Sequence, residues 1–171
     1  MVIRTVKQED YDSIYHFVKT AFETAQVKDG TEQDFVLRLR AGDTFLPDLE
    51  FVAEENGELI GHIMLTKQAV ECGDGTVFTG VLVAPLSVAL ECRSQGVGGK
   101  LMRHACDKAV GAGYTAAFLV GNPQYYGRFG FRKTADFGIR NNTDIPDQFI
   151  QACELRPDAL RGIKGSITIT E

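Results

Sequence analysis

The stretch that decides the fold is Arg93-Ser94-Gln95-Gly96-Val97-Gly98-Gly99-Lys100, which follows an apolar run and opens a helical pattern. Glycines at such a junction let backbone N–H groups approach a ligand closely. The start of a helix also carries about half a positive charge, because its first N–H groups have no partner within the helix. Together these features indicate a site for a phosphate or pyrophosphate group.

Two common phosphate motifs do not fit this stretch. A Walker loop requires a glycine where Ser94 stands and a Ser or Thr after the lysine, where the chain has Leu101. A dinucleotide fingerprint requires its third glycine at Leu101 as well, and it follows the first strand of a parallel unit. A nucleotide-phosphate binder of another class therefore stays only as an alternative, which competition among ATP, NAD and coenzyme A would decide.

A third motif matches at every defined position. The pattern Arg/Gln-x-x-Gly-x-Gly/Ala is typical of the GNAT family of N-acetyltransferases, and Arg93, Gly96 and Gly98 resemble it. Leu82–Val88, just upstream, resembles the fourth strand of that family. Because short motifs carry a real risk of false matches, the glycine pattern alone would also fit a turn that merely starts a helix.

A second signature lies downstream, in Gly121-Asn122-Pro123-Gln124-Tyr125-Tyr126-Gly127-Arg128-Phe129-Gly130-Phe131. It is similar to the family pattern in which an Asn is followed by a Tyr four residues before a Gly-Phe pair. Its sequence resembles that of a bacterial branch of predicted acetyltransferases, which has the motif Asn-Pro-x-Tyr-Tyr-x-Arg-Phe-Gly-Phe. The resemblance is strong over residues 80–132 and weaker, in arrangement only, elsewhere.

The resemblance implies an α/β (α+β) protein with the GNAT-like acyl-CoA N-acyltransferase fold, as one domain over residues 1–171. We expect a central mixed, mostly antiparallel sheet flanked by helices, with a splayed V-shaped gap between the fourth and fifth strands. Pro85 agrees with this expectation, because a residue without an N–H group disrupts a central hydrogen-bond ladder.

The family resemblance also implies a cosubstrate, acetyl-coenzyme A (acetyl-CoA), and no metal. The pantetheine arm would add as a pseudo-strand at the end of the fourth strand, and the pyrophosphate would lie on the N–H groups of the glycine loop. Arg93 would contact a phosphate, unless it is a solvated surface arginine. The implied cofactor-binding residues are Leu86, Ser87, Val88, Arg93, Ser94, Gln95, Gly96, Val97, Gly98, Gly99, Lys100, Asn122 and Tyr126.

The chemistry that follows is direct attack of a primary amine on the thioester. The resemblance implies an oxyanion donor near the Val88 N–H and a general acid at Tyr126, whose phenol protonates the departing thiolate. The alternative for Tyr126 is a core aromatic ring with a satisfied hydroxyl, and the alternative for Asn122 is a helix cap. Tyr125 points about 100° away from Tyr126 on a helical turn, so we expect only one of them to reach the sulfur.

The general base is not assigned from the sequence. Cys92 adjoins the glycine loop, but no histidine is next to it to activate a covalent route, so we expect Cys92→Ala to retain most activity. The candidates for the base are His62, Glu71 and Glu91, together with Glu23 and Glu32 at an acceptor mouth between the first two helices.

Hydrophobic periodicity and turn residues predict the order of elements. Asp10 is expected to cap the first helix. Asn56-Gly57 is expected to form a type I′ turn between two antiparallel strands. The predicted helices are 10–24, 31–40, 97–112 and one or two turns within 122–128. The predicted strands are 2–4, 50–54, 59–70, 77–90, 116–120, 131–133, 149–155 and 166–170.

Composition restricts the function further. The chain has 171 residues, of which 44% are hydrophobic and 24% charged, with a formal net charge of −5. This is a typical globular composition, and its acidity disfavours nucleic-acid binding. With no signal-like or membrane-spanning stretch, we expect a cytoplasmic protein that acts on a small-molecule or peptide amine and forms, as an open possibility, a homodimer. The alternative function is a non-catalytic acyl-CoA-binding or sensing module.

Overall fold

The computed structural model describes residues 1–25 and 28–170. The helices are α1 (Tyr11–Glu23), α2 (Glu32–Ala41), α3 (Val97–Gly111) and α4 (Pro123–Tyr126). The strands are β1 (Val2–Thr5), β2 (Phe45–Glu55), β3 (Glu58–Cys72), β4 (Val77–Val88), β5 (Ala116–Val120), β6 (Arg132–Lys133), β7 (Ile139–Asn141), β8 (Ile150–Glu154) and β9 (Gly165–Ile167). Short 3₁₀ turns occupy Leu90–Cys92 and Gly127–Phe129, among others.

The strands follow the hydrogen-bonded order β1-β2-β3-β4-β5-β8-β6, with β9 paired to both β3 and β7. The chain packs as two units. The first contains Met1–Thr66 and Ala84–Lys108, and the second contains Lys67–Val83 and Ala109–Glu171. β3 and β4 therefore contribute residues to both units.

The first unit contains an antiparallel sheet with helices on both faces. β1 pairs with β2 and β2 with β3, both antiparallel. On one face, a buried core joins both N-terminal helices to the sheet through Ile14, Val18, Val36, Val52 and Met64. The opposite face packs on α3, since a Cβ built on Gly61 would meet the Leu101 and Val97 side chains. Alternating strand residues point to opposite faces, so the neighbour of Gly61, His62, points toward α1 and α2.

The second unit combines one parallel pair with several antiparallel pairs. β4 runs parallel to β5, with Val81 opposite Ala117 and Leu82 opposite Phe118. β5 pairs antiparallel with β8 along its whole length, and β6 also pairs with β8. Leu86–Val88 lies beyond the residues of β4 that pair with β5. The expected mixed, mostly antiparallel sheet is confirmed, whereas the V-shaped gap stays a prediction.

Most predicted elements are confirmed, and the buried stripe of α3 contains the expected Val97, Leu101, Ala105 and Ala109. Asn56 and Gly57 both have positive φ, 52° and 83°, as a type I′ turn requires. Several strand ends differ from the prediction, and β9, for example, ends at Ile167 instead of Thr170. β2 begins at Phe45 instead of Glu50, and its register against β3 shifts between these two residues, where Pro47 lies. β4 ends at Val88, and the chain then turns through Leu90–Cys92.

Two further corrections concern local interactions. Asp10 precedes α1 but makes no side-chain cap bond. Its carboxylate accepts bonds from the Arg4 guanidinium at 2.7 and 2.8 Å and from the Lys7 N–H at 2.7 Å. These bonds lower the Asp10 pKa to about 2, with the Arg4 bond as the largest cause. The short strand β7, which pairs with β9, was not predicted, because three residues carry too little periodicity.

Candidate active site

The glycine loop of the first unit begins with backbone that few side chains adopt. Ser94 has φ 61° and Gly96 has φ 83°. A left-handed conformation costs a non-glycine residue free energy, and such residues cluster at ligand-binding loops. The Gln95 side chain holds the turn closed by donating to the Glu91 carbonyl at 2.7 Å.

Helix α3 starts directly from this loop. The Lys100 N–H donates to the Gly96 carbonyl at 3.0 Å, so the N–H groups of residues 97–99 precede the first turn of the helix ladder. At the start of a helix of 15 residues, these groups and the helix dipole favour an anion. The predicted phosphate-binding geometry is therefore available from backbone atoms alone.

Arg93 has specific protein partners in this structure. Its Nε donates to the Val88 carbonyl at 3.2 Å. Its Nη1 donates to the Thr24 carbonyl at 3.2 Å, and its Nη2 donates to the Ala21 carbonyl at 2.5 Å. The guanidinium thus joins the end of β4 to two carbonyls at the C-terminus of α1, where the helix offers them no N–H donor. Arg93 is not a solvated surface residue, and its contact with a phosphate stays a prediction.

The end of β4 carries the predicted pantetheine contacts. Leu86 and Val88 are half-buried, whereas Ser87 is buried. The Ala89 N–H donates to the Ile60 carbonyl at 3.0 Å, which holds this end against β3. The Val88 carbonyl is bonded to Arg93. The Ser87 Oγ is buried and has no hydrogen-bond partner among the described residues.

The second motif lies in the second unit, at the turn that follows β5. Asn122 caps α4, since its Oδ1 accepts from the Gln124 N–H at 2.9 Å and Pro123 occupies the first helical turn. Gly130 ends the turn with φ 87°. The capping alternative for Asn122 is thus observed, and its contact with a pantetheine arm stays a prediction.

Tyr126 is held by aromatic rings and by a glycine. Its ring meets Tyr125 edge-on at 4.9 Å between centroids and Phe131 at 6.1 Å. A Cβ built on Gly121 would collide with the Tyr126 ring, so the absence of a side chain there makes room for it. Within residues 1–25 and 28–170, no group hydrogen bonds the Tyr126 hydroxyl.

Burial, with a smaller contribution from Tyr125, raises the pKa of Tyr126 to about 12. The phenol is therefore protonated at neutral pH, as a general acid must be. Tyr125 differs, because the Arg128 guanidinium covers its ring at 4.4 Å. The two neighbouring tyrosines thus have different surroundings, as their angular separation on a helical turn predicts.

The candidate bases are distributed between the two units. Glu91 and Glu71 are exposed, and Glu71 lies on the part of β3 that pairs with β9. Glu23 and Glu32 line a pocket of about 300 Å³ at the ends of α1 and α2, together with Lys19, Phe22, Lys28, Asp29, Gly30 and Gln33. A pocket therefore lies where the acceptor mouth is expected, and its role as that mouth stays a prediction. The Glu32 carboxylate is already bonded to the N–H groups of Asp29 and Gly30.

His62 is fully buried in a polar cluster that the sequence analysis missed. Its Nε2 lies 2.8 Å from the Glu50 Oε1, and Arg40 bonds both oxygens of that carboxylate. Burial would raise the pKa of Glu50, but the bonds from His62 and Arg40 outweigh it and hold the pKa below its usual value. A charged residue within the apolar run Leu49–Ala53 was the available signal, because a carboxylate there needs a buried partner.

Comparisons with known proteins agree with this geometry. Residues 2–134 match the family model described as the acetyltransferase (GNAT) domain, so the chain belongs to the GNAT family of acetyltransferases. It is 29% identical over 171 residues to YhbS of Escherichia coli (strain K12), described as an uncharacterized N-acetyltransferase, and the match covers the whole chain and 97% of that protein. YjhQ of the same strain, also described as an uncharacterized N-acetyltransferase, is 30% identical over 137 residues, which is 77% of this chain and 75% of YjhQ.

Solved structures give the same result. The crystal structure of E. coli YhbS in complex with coenzyme A superposes with a TM-score of 0.87 at 28% identity, covering 99% of this chain and 89% of that one. A GNAT acetyltransferase of Brucella melitensis in complex with acetyl-CoA gives a TM-score of 0.78 at 27% identity, covering 99% and 95%. The expected family, fold and enzyme class are thereby confirmed.

Two kinds of feature are absent from the described residues. No helix there is long and apolar enough to cross a membrane. No group of three or more His, Cys, Asp or Glu side chains in the same residues is placed to hold a metal ion.

Proposed function

We propose that this protein transfers the acetyl group of acetyl-CoA to a primary amine by direct attack within a ternary complex. The observation that carries the proposal is the glycine loop, whose backbone N–H groups open α3 in a member of a family with coenzyme A-bound relatives. We further propose that residues 1–171 act as one N-acetyltransferase domain, since the family model covers parts of both units.

The cofactor roles follow the chemistry of each group. The N–H groups of Gln95–Lys100 would bind the pyrophosphate, and the backbone of Leu86–Val88 would bind the pantetheine arm as an added strand. Asn122 would contact that arm through the part of its amide that does not cap α4. Arg93 acts mainly through the backbone carbonyls that it bonds, which orients the end of β4.

Tyr126 is the proposed general acid. Its hydroxyl has no protein partner among the described residues, so it can donate to the thiolate that leaves coenzyme A as the C–S bond breaks. Its raised pKa keeps the phenol protonated at neutral pH. A backbone N–H near Val88 would stabilise the oxyanion, which for one donor contributes roughly 3–4 kcal/mol.

The acceptor is proposed to be a small molecule or peptide that carries a primary amine. The pocket between α1 and α2 offers the exposed carboxylate of Glu23, the ring of Phe22 and two lysines. A carboxylate and an aromatic ring suit a cation with an apolar part. The lining carries the carboxylates of Glu23, Asp29 and Glu32 against two lysines, so its charge favours a cationic amine.

The first test is titration of the full chain with acetyl-CoA by calorimetry, with NAD and ATP as controls. We expect selective micromolar binding, about −8 kcal/mol. Initial rates with a panel of amines then separate the mechanisms, since a ternary complex gives intersecting double-reciprocal lines and a covalent route gives parallel ones. Binding without thioester cleavage by any amine would instead support an acyl-CoA sensor, and absence of binding by the folded protein would refute the proposal.

A further inference from the structure

The pocket between α1 and α2 has two walls that are held in different ways. One wall comes from the last turns of α1 and the other from the start of α2 and the segment before it. Both walls, the end of β4 and the glycine loop belong to the first unit. The α1 wall consists of Lys19, Phe22 and Glu23, and the α2 wall consists of Lys28, Asp29, Gly30, Glu32 and Gln33.

The α2 wall is closed by bonds between neighbouring residues. The Glu32 carboxylate accepts from the N–H groups of Asp29 and Gly30 at 2.7 and 3.1 Å. The Asp29 carboxylate accepts from the N–H and the hydroxyl of Thr31, both at 2.7 Å. The Gln33 side-chain amide donates to the Gly30 carbonyl at 3.0 Å. All of these bonds lie within residues 29–33, so this wall keeps its shape without a partner from the glycine loop.

The α1 wall is held by a residue of the glycine loop. Arg93 donates to the carbonyls of Ala21 and Thr24 at 2.5 and 3.2 Å, although these residues are 72 and 69 positions away in the sequence. Phe22 and Glu23, which line the pocket, lie between these two carbonyls in the chain. The turn that carries both lining side chains is therefore fixed at its two ends by one guanidinium.

Arg93 supplies a connection that the local bonds of this turn do not. The Thr24 hydroxyl donates to the Ala21 carbonyl at 3.3 Å, and the Lys28 ammonium donates to the Glu23 carbonyl. Neither bond reaches the glycine loop. The Nε of Arg93, in contrast, donates to the last carbonyl of β4 at 3.2 Å. One side chain thus joins the pocket wall to the glycine loop and to the strand end proposed to bind the pantetheine arm.

The shape of a guanidinium suits this task. Its N–H donors point in fixed directions within one plane, so the three carbonyls that Arg93 bonds keep fixed positions relative to one another. A lysine ammonium is a point charge on a flexible stem and does not fix three acceptors in this way. The positive charge also lies at the C-terminal end of α1, where the helix dipole favours it.

From this geometry we infer that Arg93 is a positioning residue of the acceptor pocket, which fixes the α1 wall relative to the glycine loop and so links the amine site to the cofactor site. The inference rests on the proposed function, which places the amine in this pocket and coenzyme A on the loop. Arg93 touches no reacting atom in this role. Coenzyme A that orders the loop should also order the α1 wall, and an occupied pocket should strengthen cofactor binding, because coupling between two sites is reciprocal.

Amide hydrogen exchange of the full chain tests this link without turnover. At saturating coenzyme A, we expect exchange in residues 18–25 of the wild type to slow by roughly fivefold, the low end for coupling between sites, and by less than about twofold in Arg93→Gln. Arg93→Lys keeps the charge and loses the planar group, so it should behave as Arg93→Gln does. Arg103→Gln, which removes an exposed arginine of α3, is the matched control and should behave as the wild type does.

The α2 wall is the internal reference in the same experiment. Residues 28–33 should respond to coenzyme A to the same extent in all four proteins, because their bonds do not involve Arg93. Equal protection of residues 18–25 in the wild type and in Arg93→Gln would overturn the inference. Protection that is retained in Arg93→Lys would overturn it as well, because the charge alone would then be sufficient.

Kinetics supply a readout that a merely structural role would not change. With phenethylamine and spermidine as probe amines, we expect Arg93→Gln and Arg93→Lys to raise the KM for the amine roughly tenfold, with kcat and the KM for acetyl-CoA within about threefold of the wild type. A changed KM for acetyl-CoA with an unchanged KM for the amine would overturn the inference.

Failure of the proposed function gives a different result. If coenzyme A does not bind the folded wild type, the proposed function is refuted and the link falls with it. If coenzyme A binds but no amine is acetylated, only the transfer reaction is contradicted. Hydrogen exchange, which needs no amine, then decides whether Arg93 joins the α1 wall to the cofactor loop.

Discussion

The two motifs of this enzyme differ in the atoms that they offer: the first offers backbone atoms and the second a side chain. The glycine loop of the first unit offers backbone N–H groups at the start of α3, and its side chains mainly hold the loop closed. The turn after β5 in the second unit presents one side chain, Tyr126, whose position depends on the rings around it and on Gly121. We therefore expect the loop to tolerate side-chain changes that the tyrosine turn does not.

The largest effect is expected for Tyr126→Phe, which removes the proposed acid and keeps the ring. We expect kcat to fall by about 100-fold or more, the range for loss of general acid catalysis, with unchanged affinity for acetyl-CoA. Tyr125→Phe in the same turn is the matched control and should stay within about threefold of the wild type. Equal losses in both variants would mean that the turn responds to any change of packing, and that Tyr126 has no separate chemical role.

The pKa of Tyr126 gives the same comparison a pH dependence. Because burial raises this pKa to about 12, the acid stays protonated across the range in which an exposed tyrosine ionises near pH 10. Between these values the folded chain retains a proton that the unfolded chain has lost, so Tyr126 reduces stability as the pH rises from 10 to 12. Phenolate absorbance during a pH titration should show one late transition that is missing in Tyr126→Phe. A missing transition near pH 10 instead of near pH 12 would contradict the burial.

A smaller effect is expected for Gly121→Ala, because its new methyl group would collide with the Tyr126 ring. We expect the free energy of unfolding to fall by about 1–3 kcal/mol, as for overpacking in general, together with reduced kcat. Gly127→Ala is the control, since φ is −56° there and no atom lies near the new methyl group. It should be neutral or stabilising by about 0.4–1 kcal/mol. Denaturant unfolding measures both variants, and equal stabilities would refute the packing argument.

A substitution of Arg93 tests the glycine loop, the first of the two motifs compared. If its guanidinium acts through carbonyls of α1 and β4, Arg93→Gln should lower the free energy of unfolding by about 1–2 kcal/mol, since hydrogen bonds of charged groups contribute this much at a partly exposed site. The affinity for coenzyme A should then keep the salt dependence of the wild type. A weaker, less salt-dependent affinity with unchanged stability would instead assign Arg93 to a phosphate.

The sequence revealed more of the first motif than of its surroundings. Gly96 and Gly98 predicted the phosphate loop, because backbone requirements leave a local trace in the residue type. Arg93 looked like a ligand of phosphate, since no local pattern indicates that carbonyls 69 and 72 residues away would bond its guanidinium. The Arg40–Glu50–His62 cluster joins a helix and two strands, so only folding brings it together.

The smallest effects are expected for substitutions in the glycine loop that change a side chain and keep the backbone N–H groups. The Cys92 thiol follows the end of β4, and a direct mechanism gives it no chemical step. Cys92→Ala should therefore keep kcat within about twofold, and Ser94→Ala should change the Kd for acetyl-CoA by less than about threefold, because the proposed contacts are N–H groups. Ser94→Pro is the contrasting variant, since it removes the N–H and excludes φ of 61°. Steady-state kinetics and calorimetry measure these variants. A collapse of kcat in folded Cys92→Ala would favour an acetyl-cysteine, and a large loss in Ser94→Ala would mean that side chains bind the phosphate.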